Sequence, residues 1–208
     1  ICVRFIKKDK KEETGRRERT YCVWNVPTQS EVTTDPISVD PNPFYLHYHG
    51  SIVPDRLPLS VVEALSRLPS HVKLRIAGFE TSGARGYPAR IQSRAHELGV
   101  EDRVEFQGPI PQRDELIGWA SQSHVGISFM PLNPDDVNMK WMTGASNKPF
   151  DYMAAGLPIL VSDLPDWKPM FVEPGYARYC SPTDADSIAN EVQWFLENPE
   201  KRFAMAEE

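Results

Sequence analysis

Cysteine is scarce in this sequence. Cys2, Cys22 and Cys180 are the 3 in 208 residues, and no C-x-x-C pair occurs. An odd count without paired spacing argues against a disulfide framework and suits a reducing compartment, so a cytoplasmic location is expected. No apolar run approaches the roughly 20 residues needed to span a bilayer. A secretory-signal pattern and the N-x-[ST] sequon are missing too, and the chain begins at Ile1 rather than Met, so a longer parent protein is expected. The formal net charge of −6 and pI near 5.4 exclude a nucleic-acid footprint over the whole surface, and no nucleic-acid partner is expected. The first twenty residues run the other way, with eight Lys/Arg against four Asp/Glu. The 19 prolines are scattered and 40% of residues are hydrophobic, which excludes collagen-like and disordered chains.

Two textures divide the chain. Residues 1–45 are first charged and then rich in Pro, Thr and Asp, with one candidate strand at Tyr21–Trp24. From Leu46 onward, short apolar runs alternate with amphipathic stretches. LHYH (46–49), VKLRIAG (72–78), RVEFQG (103–108), HVGISFM (124–130), LPILVS (157–162) and ARYC (177–180) read as strands. Helical spacing appears at 59–68, 89–99, 113–122, 147–156 and 183–198. The second of these starts beside Pro88 and stops at Gly99, and the last opens with Thr183 and Asp186 spaced like a capping box. Six strand–helix alternations predict an α/β fold, a doubly wound parallel six-stranded Rossmann-like sheet over 46–208, with ligands at the carboxyl ends of the strands. An αβ barrel would need eight units.

Several phosphate-binding and catalytic signatures are absent. HYHGSIVPDR after the first strand has one glycine where a dinucleotide fingerprint needs G-x-G-x-x-G. There is no G-x-x-x-x-G-K-[ST] loop, no H-E-x-x-H and no G-x-S-x-G elbow. His47 and His49 share one strand face without an evident third ligand, so packed strand side chains are the expected reading. No clustered carboxylate metal site is expected either. What remains is a pair of cations, Arg56 after the first strand and Lys148 at the start of the fourth helix. Both fall near the carboxyl edge of the sheet, where a helix N-terminus and charge-assisted hydrogen bonds could hold a diphosphate.

The ordered set YHGSIVPDRLPLSVVEALSRLPSHVKLRIAG, RVEFQGPIPQRDELIGWASQSHVGISFMP and SNKPFDYMAAGLPILVSDLP resembles the C-terminal domain of GT-B-fold retaining glycosyltransferases of family 4, the group 1 transferases. The resemblance covers about 46–205. It implies the donor-binding half of a two-domain enzyme, taking a UDP-, GDP- or ADP-sugar without a cofactor or a required metal. It also implies a glycan or lipid-linked acceptor held by an N-terminal domain, in polysaccharide or glycoconjugate assembly. Residues 1–45 would then be the end of that acceptor domain and the interdomain linker, and this chain alone is expected to be inactive in transfer. The basic run at 7–19 could touch the inner face of an anionic membrane bearing a lipid-linked acceptor, but its interleaved opposite charges favour a solvated loop.

The family's G-R-x-x-x-x-K loop corresponds to Gly50, Ser51 and Arg56, with Ser51 replacing the Arg and Arg56 taking the Lys position. Of its E-x7-E motif, the second Glu, which holds ribose hydroxyls, corresponds to Asp151. The first falls at Thr143, beside Gly144, and Thr supplies no carboxylate. Asn147 and Lys148 match the N-K of a subset in which the Lys points to the donor phosphates. The resemblance thus makes Arg56 and Lys148 the groups that stabilise the leaving diphosphate. Gly78 allows close approach at the second strand's end, and main chain at Gly108, Ile110 and Pro111 would meet the base. Two rivals stand beside this reading: a sugar-nucleotide 2-epimerase of the same architecture, and a degenerate nucleotide-binding or interaction domain, suggested by Ser51 and Thr143.

Overall fold

The run FYLHYHGSI sends Phe44, Leu46 and Tyr48 to one side and Tyr45, His47 and His49 to the other. Most of both sets is buried, the mark of a strand covered on both faces. In the computed structural model of the chain, which describes residues 27–32, 41–135, 139 and 145–207, this run is β1 (Phe44–Ile52). β2 (Val72–Glu80), β3 (Val104–Gly108), β4 (Val125–Ser128), β5 (Ile159–Ser162) and β6 (Ala177–Cys180) follow, each in parallel pairing with its neighbours. The order β3-β2-β1-β4-β5-β6 reverses between β1 and β4, as in a doubly wound sheet. The six-stranded parallel sheet expected from the alternation is therefore present.

Helices α1 (Leu59–Leu65), α2 (Tyr87–Glu97), α3 (Arg113–Ala120), α4 (Asn147–Ala154), α5 (Ala185–Glu197) and α6 (Pro199–Glu207) sit on the two faces. One core joins Leu46, Leu74 and Ile127 of the sheet to Val61 and Leu65 of α1, Ile91 of α2 and Ile188, Val192 and Phe195 of α5. The other joins Ile159 and Val161 to Ile117 of α3, Tyr152 of α4, Trp167, and Phe171 of the π-helical turn Lys168–Val172 that Trp167 precedes. β5 shows the division residue by residue, since Leu160 faces the first core and its two neighbours face the second. None of the described helices is long and apolar enough to cross a membrane.

Some boundaries differ from the sequence reading. β1 runs two residues earlier and three later than 46–49, because Gly50 and Ser51 stay in register opposite Gly78 and Phe79 instead of ending the strand. β4 and β5 are shorter than read, their flanking residues serving as loop. The capping box expected from Thr183 is replaced by an Asp184 cap, whose carboxylate accepts from the Asp186 N–H at 2.9 Å. A residue closer to the helix, with a carboxylate rather than a hydroxyl, makes the better N-cap here. Asp186 also pairs with Arg67 at 3.3 Å, so this D-x-D triplet serves a helix start. Helix α6, with Pro199 as its first residue, was not anticipated. The strand at Tyr21–Trp24 and the basic run at 7–19 lie outside the described residues.

One side chain ties α4 to the sheet. The Tyr152 hydroxyl accepts from the His49 N–H at 3.3 Å and donates to the Ile127 carbonyl at 3.0 Å, bridging β1 and β4. Its ring lies over Gly126, where a Cβ would come within 2.3 Å of it. Gly126→Ala is therefore expected to destabilise the fold by about 1–3 kcal/mol or more in urea unfolding, because neither the ring nor β4 can retreat. Gly118→Ala, in the exposed interior of α3 with nothing nearby, is expected to stabilise by about 0.5–1 kcal/mol.

Candidate functional site

In a sheet of this order, ligands bind outside the carboxyl ends of the strands where the order reverses, here between β1 and β4. At that end of β1, Gly50 adopts φ +109°, a conformation that side chains other than glycine resist. A Cβ on Gly78 would fall 2.0 Å from the Gly50 carbonyl oxygen, so the close approach expected at Gly78 is made by backbone. The bare side of Gly50 is covered by a cation: the Lys148 amine would be 3.8 Å from a Cβ placed there.

Lys148 is the second residue of α4 and only 6% exposed. Its amine lies 5.4 Å from the Tyr48 ring centroid, within cation–π range. Burial first and the Arg56 charge second lower its pKa to about 7, against the opposing pull of Asp151. Arg56 lies in the turn after β1, half-buried, with Nη2 3.6 Å from the Met139 sulfur. Tyr48, whose hydroxyl donates to the Ser51 carbonyl, feels the same Arg56 charge. The two cations expected from the sequence thus converge at the reversal point. Beside them, the Ser146 hydroxyl caps nothing, although Ser146 is the N-cap of α4; it is buried without a hydrogen-bond partner among the described residues. Asn147 is exposed at the first position of the same helix. Amide groups at a helix start, a hydroxyl and two cations form a site suited to an anion.

Asp151 follows one turn after Lys148 and is 3% exposed. Its Oδ1 accepts from Arg113 Nη2, at the start of α3, and its Oδ2 is 3.1 Å from His49 Nε2. A carboxylate only accepts, so Nε2 carries the proton. Burial holds His49 below the usual histidine range despite Asp151, and it holds His47 further below. His47 packs against Trp119 at 4.8 Å and Tyr152 at 5.6 Å, as packed strand side chains do. Arg113 has a second carboxylate partner in Glu31, 2.9 Å from its Nε. Glu31 is itself held low in pKa by the Thr28 backbone N–H and hydroxyl, with Arg113 adding to the effect. Sequence reasoning missed both Arg113 and Glu31.

The loop from Gly108, at φ +79°, through half-buried Ile110 and exposed Pro111 leads directly into α3 and Arg113. Thr143 and Gly144 lie outside the described residues. Among the described residues, no group of three or more His, Cys, Asp or Glu side chains is placed to hold a metal ion.

The sequence profile described as glycosyl transferases group 1 matches residues 31–208. The chain belongs to this family. Among solved structures, this group 1 domain is similar to HepE from Anabaena in complex with UDP and glucose, at 17% identity and TM-score 0.64, covering 79% of this chain and 42% of that one. Sucrose-phosphate synthase from Thermosynechococcus elongatus matches at 20% identity and TM-score 0.64, over 82% and 40%. The C-terminal domain of the group 1 protein LpcC from Francisella tularensis matches at 13% identity and TM-score 0.62, over 78% and 80%. The chain therefore spans about two fifths of the first two and most of a C-terminal domain, and its fold is one half of a GT-B architecture. No curated protein matches the sequence.

The buried amine has a consequence for stability. Unfolded, a lysine titrates near 10.4, whereas Lys148 in the group 1 domain titrates at about 7. Between these values the unfolded chain binds the extra proton, so the stability of the ligand-free protein is expected to rise as pH goes from about 7 to 10. Below that window the full cost of burying the charge is present. Lys148→Met should be more stable than the parent at pH 7, and the difference should shrink towards pH 10. Urea unfolding at stepped pH checks this; a difference that does not vary with pH would contradict it.

Proposed function

We propose that the chain is the donor-binding half of a retaining family 4 glycosyltransferase, holding a nucleoside-diphosphate sugar by its diphosphate. The observation that carries this reading is the Lys148 amine lying over the bare face of Gly50, at the start of α4, close enough to Arg56 to feel its charge. A diphosphate there would neutralise two cations that otherwise oppose one another, and it would meet the Ser146 hydroxyl and the first amide groups of the helix. As the glycosidic bond breaks, negative charge grows on the leaving diphosphate. Cations already fixed in a partly dehydrated site stabilise that charge more than they stabilise the bound substrate. They do the work that a metal does elsewhere, so donor binding needs no divalent ion.

The nucleoside end would lie towards Gly108, Ile110 and Pro111 and the Asp151 region, with Ser51, Gly78, Thr143, Gly144 and Asn147 bordering the site. HepE, described in complexes with UDP and with UDP-glucose, supports a uridine donor, and GDP and ADP are the alternatives. The acceptor, a glycan or a lipid-linked sugar, would be held by an N-terminal domain, in polysaccharide or glycoconjugate assembly at the cytoplasmic face of a membrane. Transfer depends on holding both substrates in one closed cleft, an effect worth up to about 7–11 kcal/mol, so this chain by itself would bind donor without transferring the sugar.

Calorimetric titration with UDP, GDP and ADP in the presence of a chelator tests the reading. At least one should bind. Lys148→Ala and Arg56→Ala should each weaken it by roughly 1.5–3 kcal/mol, about ten- to a hundred-fold, less at high salt. Unchanged affinity in both variants would remove the diphosphate assignment.

A further inference from the structure

The family resemblance directs attention to Asp151 as the residue that holds the ribose hydroxyls, but the geometry puts another side chain in front of it. Asp151 is 3% exposed and both its oxygens already face N–H groups, Arg113 Nη2 on one side and His49 Nε2 on the other. It is also one methylene shorter than a glutamate, and so it reaches less far towards solvent. The Arg113 side chain is 34% exposed and stands at the first position of α3, where the loop Gly108–Gln112 delivers the chain from the carboxyl end of β3. Asp151 beneath it and Glu31 beside it engage Nη2 and Nε. A guanidinium carries five N–H groups in a rigid fork, so those on Nη1 and the second on Nη2 are not used by these two carboxylates.

We propose that Arg113, and not the buried Asp151 carboxylate, is the side chain that touches the nucleoside half of the donor, with Asp151 and Glu31 acting through it as positioning residues. This inference rests on the donor-site reading above and adds a residue that the family pattern does not supply. The N–H groups that remain on this part-exposed side chain suit the oxygen acceptors of a nucleoside, namely the ribose hydroxyl oxygens and a base carbonyl. Two carboxylate partners hold the fork in one orientation before any ligand arrives, which reduces the ordering cost of binding. They also offset the guanidinium charge, so Arg113 offers directional hydrogen bonds without becoming a third site for the diphosphate. The site is thereby divided: cations at the end of β1 for the phosphates, a paired arginine at the start of α3 for the nucleoside.

The test separates the two halves by using two probes, inorganic diphosphate and whichever of UDP, GDP and ADP the parent chain binds most tightly. The ratio of their dissociation constants reports what the nucleoside adds. Arg113→Met should cut that ratio about tenfold while leaving inorganic diphosphate within about twofold of the parent, and Arg113→Lys should not restore it, because an amine has no fork. Glu31→Gln, which leaves Asp151 and all its partners in place, should cut the ratio about two- to threefold and serves as the milder variant should Arg113→Met fold poorly. A 2′,3′-dideoxy form of the same nucleotide assigns the loss to ribose or base: parent and Arg113→Met should discriminate it differently if the ribose is the contact, and equally if the base is. A nucleoside ratio unchanged in both Arg113→Met and Glu31→Gln would overturn the inference while leaving the diphosphate site standing. Failure of the parent to bind either probe would instead remove the donor-site reading, and this inference with it.

Discussion

A lysine amine buried at the carboxyl end of a parallel sheet is the constraint on which the rest of the site depends. Taking an ammonium out of water is costly, and here the neighbouring Arg56 adds repulsion, which together bring Lys148 to about 7. The fold prevents the side chain from escaping. α4 is fastened through Tyr152 to the His49 N–H of β1 and the Ile127 carbonyl of β4, and the Tyr152 ring can sit there only because residue 126 is glycine. Gly50 leaves the amine room, and Gly78 lets β2 lie close enough to hold Gly50 in its unusual backbone conformation. Stability is thus given up locally, and an arriving anion would recover it. Such local cost at a site set by the fold is what a preorganised electrostatic site requires.

One turn further along α4 the logic is the opposite. Asp151 is buried too, but Arg113 and His49 satisfy it, and Glu31 shares the arginine. This half of the site has already spent its charge. A ligand entering it would meet directional donors instead of an unbalanced field, which would suit a base or ribose under the proposed reading, whereas the Lys148–Arg56 half would recruit the diphosphate. Because Lys148 and Asp151 are three residues apart on one helix, the two halves are held at a fixed spacing. The arrangement is consistent with a domain of the group 1 family that accounts for about two fifths of the length of HepE.

Most of the sheet was legible because buried parallel strands are continuous apolar runs with turn residues on either side. Ile159–Ser162, buried at every position, shows this, and the edge strand ARYC (177–180) has the same limits in the structure as in the sequence. β1 was read short because Gly50 and Ser51 look like a strand end, while in fact their pairing with β2 continues to Ile52. Asp184 was passed over for Thr183 because two adjacent residues can both cap, and only the local backbone decides. In the site, the placement of Lys148 and Arg56 near the carboxyl edge of the sheet was legible from the strand–helix alternation, whereas the phosphate role given to them comes from the family resemblance. Arg113 and Glu31 were not: they are 82 positions apart in a chain with 23 Lys/Arg and 29 Asp/Glu, and no periodicity marks which pair will meet. Only the loop after β3 and the segment around Thr28, brought together by the fold, make them neighbours.

The most direct measurement is the titration of the Lys148 amine itself, followed by NMR of the side-chain 15Nζ or 13Cε in protein with and without a nucleoside diphosphate. Ligand-free, the amine should titrate at about 7. With the diphosphate beside it, the charged form should be favoured and the midpoint should rise by more than about one unit. A midpoint that stays near 7 at saturating nucleotide would show that the anion binds elsewhere, and a ligand-free midpoint near the ordinary lysine value of about 10.4 would show that the amine is not confined as described.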